Sequence, residues 1–467
     1  MGNIIALCNI SSLLSSIISK NIPKIGRKYN MNFNNYEELG KFLLSLGVTR
    51  AFFKPLSEND NSKNQIYFGS SFQVLQQIPF GKIIEFPENK DPNYKASVNF
   101  LWINNSGQYT PAPKTQLILY TRYPEVRLSG FLSDCPTAPR EYMQPPQREE
   151  RMNNNAKDGR VLIIGISSDN KVYGYLAIKN SPLAKSILSN LFNEDQGKTI
   201  QDFPLGGLPG TEKNELINKL RDIVNSGWHE SVRLDANGNK KLYNASNCGG
   251  YTLEALFGII PNGIAEPDFK GWELKTFSGS RITLMTPEPD QGFYREKGAK
   301  EFTLKYGHDA PNVIKYFTGT HKVDIQNDTS KMTLVISGFD FNKGTIKDMS
   351  GGLHLINNQN KPVAIWSFNE LITHWSKKHS RACYVKYKSE EKNGKYGYVY
   401  YSPVYLGEKT DLSYFLKTMQ SGLIVFDPAT KVYLNSKGNE TVKARSQFRI
   451  NFNNLNKLYD VFYEQNV

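Results

Sequence analysis

The chain has 467 residues, more than one hydrophobic core usually organises, so two or three domains are expected. With 39% hydrophobic and 12% aromatic residues it is neither disordered nor fibrous, and a formal net charge of +13 suits either a polyanionic partner such as nucleic acid or a generally lysine-rich protein. Cys8, Cys135, Cys248 and Cys383 are scattered without a CxxC pair, which argues against a zinc finger or a disulfide framework and fits a reducing bacterial cytoplasm.

The first apolar stretch, NIIALCNISSLLSSIISK, is interrupted by Asn, Ser and Cys. It is too polar to span a bilayer and lacks the basic start and cleavage site of a signal peptide, so a soluble intracellular protein is expected, with no membrane partner. EELGKFLLSLG (37–47) reads as a short amphipathic helix ending at Gly47. From about 50 to 135 the pattern is strand-like, with turns at Asn, Gly and Pro. The polar, proline-bearing run APREYMQPPQREERMNNNAKDG reads as an exposed loop, and RVLIIGI–SSDN–KVYGYLAI as a hairpin. Ser181-Pro182 has the cap and first-turn residues of a helix start.

The segment 194–210, rich in Gly and polar groups, is the expected linker between a mostly-β domain (1–195) and a mixed α/β domain (211–467). Beyond it, Thr211 opens a helix whose Leu216, Ile217, Leu220, Ile223 and Val224 form one apolar face, stopped by Gly227. TLEALFGI is expected to be helical, GWELKTF and SRITLMT to be strands, and WSFNELITHWSKKH to contain an amphipathic helix. A last helix is expected to carry Leu455, Leu458, Tyr459 and Phe462.

Asp268, Glu273 and Lys275 stand close together in EPDFKGWELKTF. Side chains two apart in a strand share a face, so Glu273 and Lys275 point the same way, and a turn after Pro267 can bring Asp268 beside them. Carboxylates with a neighbouring carbonyl, such as that of Leu274, suit a hard cation, and Mg²⁺ takes one or two carboxylates plus phosphate and water. Lys275 would then orient or deprotonate the attacking water. The alternative is a hairpin edge bearing an exposed ion pair of little energetic worth.

The surrounding GGYTLEALFGI…EPDFKGWELKTF…RITLMT, continuing through WSFNELITHW to FRI, resembles the MvaI/BcnI group of type II restriction endonucleases, in the PD-(D/E)xK superfamily and near the MutH fold. The resemblance spans about 210–467 and implies Mg²⁺ bound by Asp268 and Glu273, Lys275 serving the water, and Glu254 facing the site from its helix. It also implies base-reading residues late in the chain. Lys443, Arg445 and Arg449 stand there on a turn-plus-strand segment, as base readers or as phosphate clamps. Lys377 and Lys378 in HWSKKHSR read as a phosphate-facing basic face.

In the first half, KPLSENDNSKNQIYFGSSF and LYTRYPEVRLSGF resemble the effector-binding amino-terminal domain of EcoRII and its relatives, a β pseudobarrel of the plant transcription-factor B-three class. The resemblance implies that Arg122, Glu125 and Arg127 lie on one DNA-facing arm, with Asn64, Gln65 and Tyr67 on another. A pseudobarrel joined to an MvaI-like nuclease is the arrangement of UbaLAI-type enzymes. The expected fold is therefore α+β in two domains, and the expected function is Mg²⁺-dependent cleavage of duplex DNA at a short GC-rich site such as CCWGG or CCSGG. Each domain would engage a copy of the site, and a DNA methyltransferase would protect the host. The rivals are a MutH-like strand-nicking repair enzyme and a non-catalytic DNA-binding regulator.

Overall fold

The computed structural model describes residues 33–57, 64–69, 75, 77–123, 125–143, 159–193, 199–205, 211–243, 248–261, 267–379 and 381–467. The first apolar stretch, most of the polar run after Met143 and part of the linker lie outside these residues. Among the described residues no helix is long and apolar enough to cross a membrane.

The expected first helix spans Tyr36–Ser45, where the Asn35 side chain accepts the Glu38 N–H as N-cap. Gly47 follows at φ +76°, a conformation that costs glycine little. The expected hairpin is present, with Val161–Ser167 antiparallel to Val172–Ala177. These strands belong to a six-stranded sheet in the order 201–203, 48–55, 161–167, 172–177, 100–103, 109–111. A second sheet of five strands runs in the order 66–69, 125–129, 116–120, 93–97, 83–86. The two are open sheets, and among the described residues no strand pairing closes them into a barrel.

The segment expected as linker contains a strand, Gln201–Phe203, which pairs with Val48–Pro55 so that Asp202 lies opposite Phe52. Turn-like composition on both sides hides it. Three residues make a strand only because an existing sheet edge supplies their hydrogen-bond partners.

In the second half, the helix Thr211–Asn225 buries Leu216, Leu220, Ile217 and Ile223 on one face, as its 3.6-residue spacing requires. It packs with the helix Cys248–Phe257 against Trp272, Leu274, Cys383 and Val385. Each fully buried Leu there contributes about 1.5–3 kcal/mol from the area removed from water. The central sheet joins Trp228–Glu230, Lys395–Tyr400, Arg381–Lys392, Val404–Glu408 and Val461–Gln465, and Glu273–Phe277 runs parallel to the start of Arg381–Lys392. Arg281–Met285 pairs instead with Phe448–Asn451, which also pairs with Ile424–Phe426.

The expected last helix is not an α-helix. Phe452–Leu458 forms a 3₁₀ turn, and Val461–Gln465 is a strand on Val404–Glu408. Leu455, Leu458 and Tyr459 are buried as expected, but Phe462 lies on the strand. A short apolar pattern fits either period, and the open edge of Val404–Glu408 decides it.

The two halves touch. The edge strand Ile83–Phe86 lies against the helix Phe368–Lys378, and Asn369 Nδ2 donates to the Ile83 carbonyl at 3.1 Å.

Candidate active site and nucleic-acid interface

A two-residue turn builds the centre of the site. Phe269 N–H donates to the Trp272 carbonyl at 2.9 Å and Trp272 N–H to the Phe269 carbonyl at 2.8 Å. Between them, Lys270 and Gly271 have φ +46° and +83°, the left-handed pair that a type I′ turn needs. Beyond the turn, Trp272 and Leu274 point into the core while Glu273 and Lys275 share the opposite face. Lys275 Nζ donates to Glu273 Oε1 at 3.2 Å, with Glu273 buried and the lysine side chain 14% exposed.

The turn folds Asp268 back along the strand, where its Oδ2 accepts the Leu274 N–H at 2.8 Å. The N–H and C=O of one strand residue point to the same edge, so the Leu274 carbonyl faces the edge that Asp268 occupies. Burial and the neighbouring Glu273 carboxylate push the half-buried Asp268 up to about 7, with a smaller push from Glu254, against the Leu274 N–H and Lys275. Among the described residues no group of three or more His, Cys, Asp or Glu side chains is placed to hold a metal ion. Among the described residues, Asp268, Glu273 and the Leu274 carbonyl bring oxygen donors together beside the turn.

A cleft of about 960 Å³ opens on this face. Glu254 and Lys275 line one part of it; Arg281, Arg445, Gln447 and Arg449 line another, with Tyr251 and Tyr387 also on its walls. Pairing of Arg281–Met285 with Phe448–Asn451 brings the tail to the strand that follows Glu273–Phe277. Arg449 Nη1 donates to Asp427 Oδ2 at 2.9 Å, and Arg281 Nη1 lies 3.7 Å from the same oxygen. Thr283 Oγ1 donates to Gln447 Oε1 at 3.3 Å. Arg445 is exposed. Lys443 is exposed on the strand Glu440–Lys443 and is not among the residues lining the cleft. Lys377 and Lys378 end the helix Phe368–Lys378, and their side chains lie outside the described residues.

Arg281 and Gln447 on the cleft, and Asp427 beside Arg281, are not singled out by any motif in the sequence. Arg281 opens an expected strand and Gln447 sits between two named arginines, so both were visible as residues. What the spacing did not carry was the strand pairing that faces them on one cleft.

In the first half, Ile66–Gly69 is antiparallel to Glu125–Ser129, and Tyr67 lies opposite Arg127. Arg127 bridges its neighbours, with Nη2 at 2.8 Å from Glu125 Oε1 and Nη1 donating to Gln65 Oε1 at 3.2 Å. Asn64 precedes the strand at φ +47°. Arg122 sits apart, exposed and 3.7 Å from Asp91. The two arms thus meet as one edge of the five-stranded sheet.

Comparison with known proteins gives the same direction. The MvaI/BcnI restriction endonuclease family matches residues 217–459, just over half of the chain. The chain belongs to that family. No curated protein matches it. Two solved structures are similar to it over 54% of this chain and 97% of their own. One, a complex of restriction endonuclease MvaI with cognate DNA substrate, has 19% identity and a TM-score of 0.44. The other, MvaI in the absence of DNA, has 17% identity and a TM-score of 0.32. Family membership makes the chain a restriction endonuclease with a mixed α+β catalytic region.

Proposed function

We propose that the protein is a type II restriction endonuclease that cuts both strands of duplex DNA with Mg²⁺, leaving 5′-phosphate and 3′-hydroxyl ends. The cleft carries the reading: it puts Glu254 and Lys275 in one channel with Arg281, Arg445, Gln447 and Arg449. Chemistry and donors suited to base edges or phosphates therefore share one groove.

The donor set fits a hard cation. Burial and the neighbouring Glu273 carboxylate disfavour the charge on Asp268, which retains a proton up to about pH 7 until a cation offsets them. With the Leu274 carbonyl, Asp268 and Glu273 offer oxygen ligands only, and phosphate and water complete such a site for Mg²⁺. Bound there, the ion would supply positive charge to the scissile phosphate. Lys275, tied to Glu273 at 3.2 Å, would orient the attacking water. Glu254 adds a carboxylate from the cleft wall.

The first half, through Phe203, serves as the effector-binding module, a pseudobarrel-type unit. Its Gln65, Tyr67, Glu125 and Arg127 lie at one edge of the five-stranded sheet, whereas Ile83–Phe86, which touches the second half, is the other edge. At roughly 4.8 Å per strand spacing the two edges stand about 19 Å apart, leaving room for a separate duplex. The recognition site is short and GC-rich, of CCWGG or CCSGG type, and a methyltransferase of the same specificity protects host DNA.

Digestion of one sequenced plasmid tests this reading. The purified protein should give discrete double-strand fragments with Mg²⁺ and none with EDTA. Asp268→Ala, Glu273→Ala and Lys275→Ala should each abolish cutting while the proteins stay folded. Nicked circles as the only product would favour the repair-type enzyme instead.

A further inference from the structure

The charged cluster on the outer side of the catalytic turn joins both halves of the chain. Arg50 belongs to the strand Val48–Pro55 of the first half, two residues before the Phe52–Asp202 pair. Its guanidinium reaches the turn: a methyl group built on Gly271 would lie 3.8 Å from Arg50 Nη1 and 3.6 Å from Arg381 Nη2. Arg381 starts the strand that pairs with the catalytic strand, and its guanidinium lies 5.8 Å from the centre of the buried Trp272 ring. Its Nη1 is 3.6 Å from Glu212 Oε2, on the first turn of the helix Thr211–Asn225. Lys270, at the tip of the turn, is ion-paired with Glu215 of the same helix.

We infer that Arg50 is a positioning residue of the active site, through which the first half holds the Phe269–Trp272 turn and hence the spacing between Asp268 and Glu273. Three cations and two carboxylates converge on this turn. Arg50 comes from the first half, while Glu212, Glu215, Lys270 and Arg381 come from the second. Glu212 is half-buried and feels the charges of both Arg381 and Arg50, with Asp202 opposing them. Both Asp268 and Glu273 flank the turn, so a small change in its twist alters the distance between the two carboxylates that would hold the cation. A precise site built on such a turn depends on whatever fixes the turn from behind. The inference rests on the nuclease reading for its catalytic consequence, but its structural part stands on the turn alone.

The test uses the full-length chain with Arg50→Ala and Arg50→Lys. In metal-free protein, amide hydrogen exchange over residues 268–275, which include the Leu274 N–H bound by Asp268, should speed up about tenfold in Arg50→Ala. The Mg²⁺ concentration giving half-maximal cleavage should rise about five- to tenfold, with DNA affinity measured without metal unchanged. Arg50→Lys, which keeps the charge, should recover most of both. Wild-type exchange over 268–275 in Arg50→Ala overturns the inference, as does faster exchange confined to the first-half sheet. A parallel loss of DNA affinity would make Arg50 a DNA contact and overturn it as well. If the wild-type chain cuts no duplex while exchange at the turn still responds to Arg50→Ala, the nuclease reading fails and the positioning role survives.

Discussion

Asp268 is the member of the candidate site whose acidity its surroundings change strongly. Its folded-state pKa of about 7 exceeds the ordinary 3.8, so between those values the folded chain holds a proton that the unfolded chain releases. This stabilisation is complete below the unfolded value and is lost as pH rises through about 7. Asp268→Asn removes the dependence, and the metal-free variant should be more stable than wild type at pH 8 by on the order of 1–3 kcal/mol, a margin that closes towards pH 4. Melting curves at the two pH values measure it, and equal margins at both would show that Asp268 is not held protonated. Glu273 and Lys275 could be read from the sequence because the two-residue period of a strand puts them on one face. Arg281 and Asp427 could not, because their contact depends on pairing between segments far apart in the chain.

The elements that flank the cleft divide in the same way. The helix Thr211–Asn225, the strand Glu273–Phe277 and the tail hairpin carry strong local signals: a regular apolar stripe, alternation bounded by glycine, and turn residues at Asn435–Gly438. The strand Gln201–Phe203 and the final 3₁₀ turn and strand carry weak ones, and neighbouring sheet edges decide them. The tail strand Phe448–Asn451 puts Arg449 against Asp427, with Arg445 exposed before it. A base reader and a phosphate clamp differ in what their loss does. Arg445→Ala or Arg449→Ala should lose discrimination at particular base pairs, by about 1–3 kcal/mol for a bidentate contact. Competition binding against single-base variants of the site measures this. Equal weakening on all sequences, with a shallower salt dependence, would assign the residue to the phosphates.

Among the described residues, the strand Ile66–Gly69 ends one side of the first-half sheet and the candidate cleft lies in the second half, the two halves meeting at Ile83, Asn369 and the charged cluster around Arg50. Composition could not reveal that joint, because turn-rich residues surround the Gln201–Phe203 strand that completes the first-half sheet. A division of the chain should therefore fall after Phe203, within 206–210, so that this strand keeps its partners. The fragment 1–205 should bind duplex DNA without cutting it, since Asp268, Glu273 and Lys275 lie elsewhere. The fragment 211–467 should cut, with a higher Mg²⁺ requirement than the intact chain if Arg50 steadies the catalytic turn. Binding by 1–205 should weaken on Arg127→Ala, because Glu125 and Gln65 hold that guanidinium beside Tyr67 on the strand that ends the sheet among the described residues. Gel-shift titration at low salt reads both effects. A folded 1–205 fragment with no affinity for DNA would remove the effector role from the first half. Cleavage by 211–467 would be untouched by that result, because every residue assigned to the chemistry lies within it.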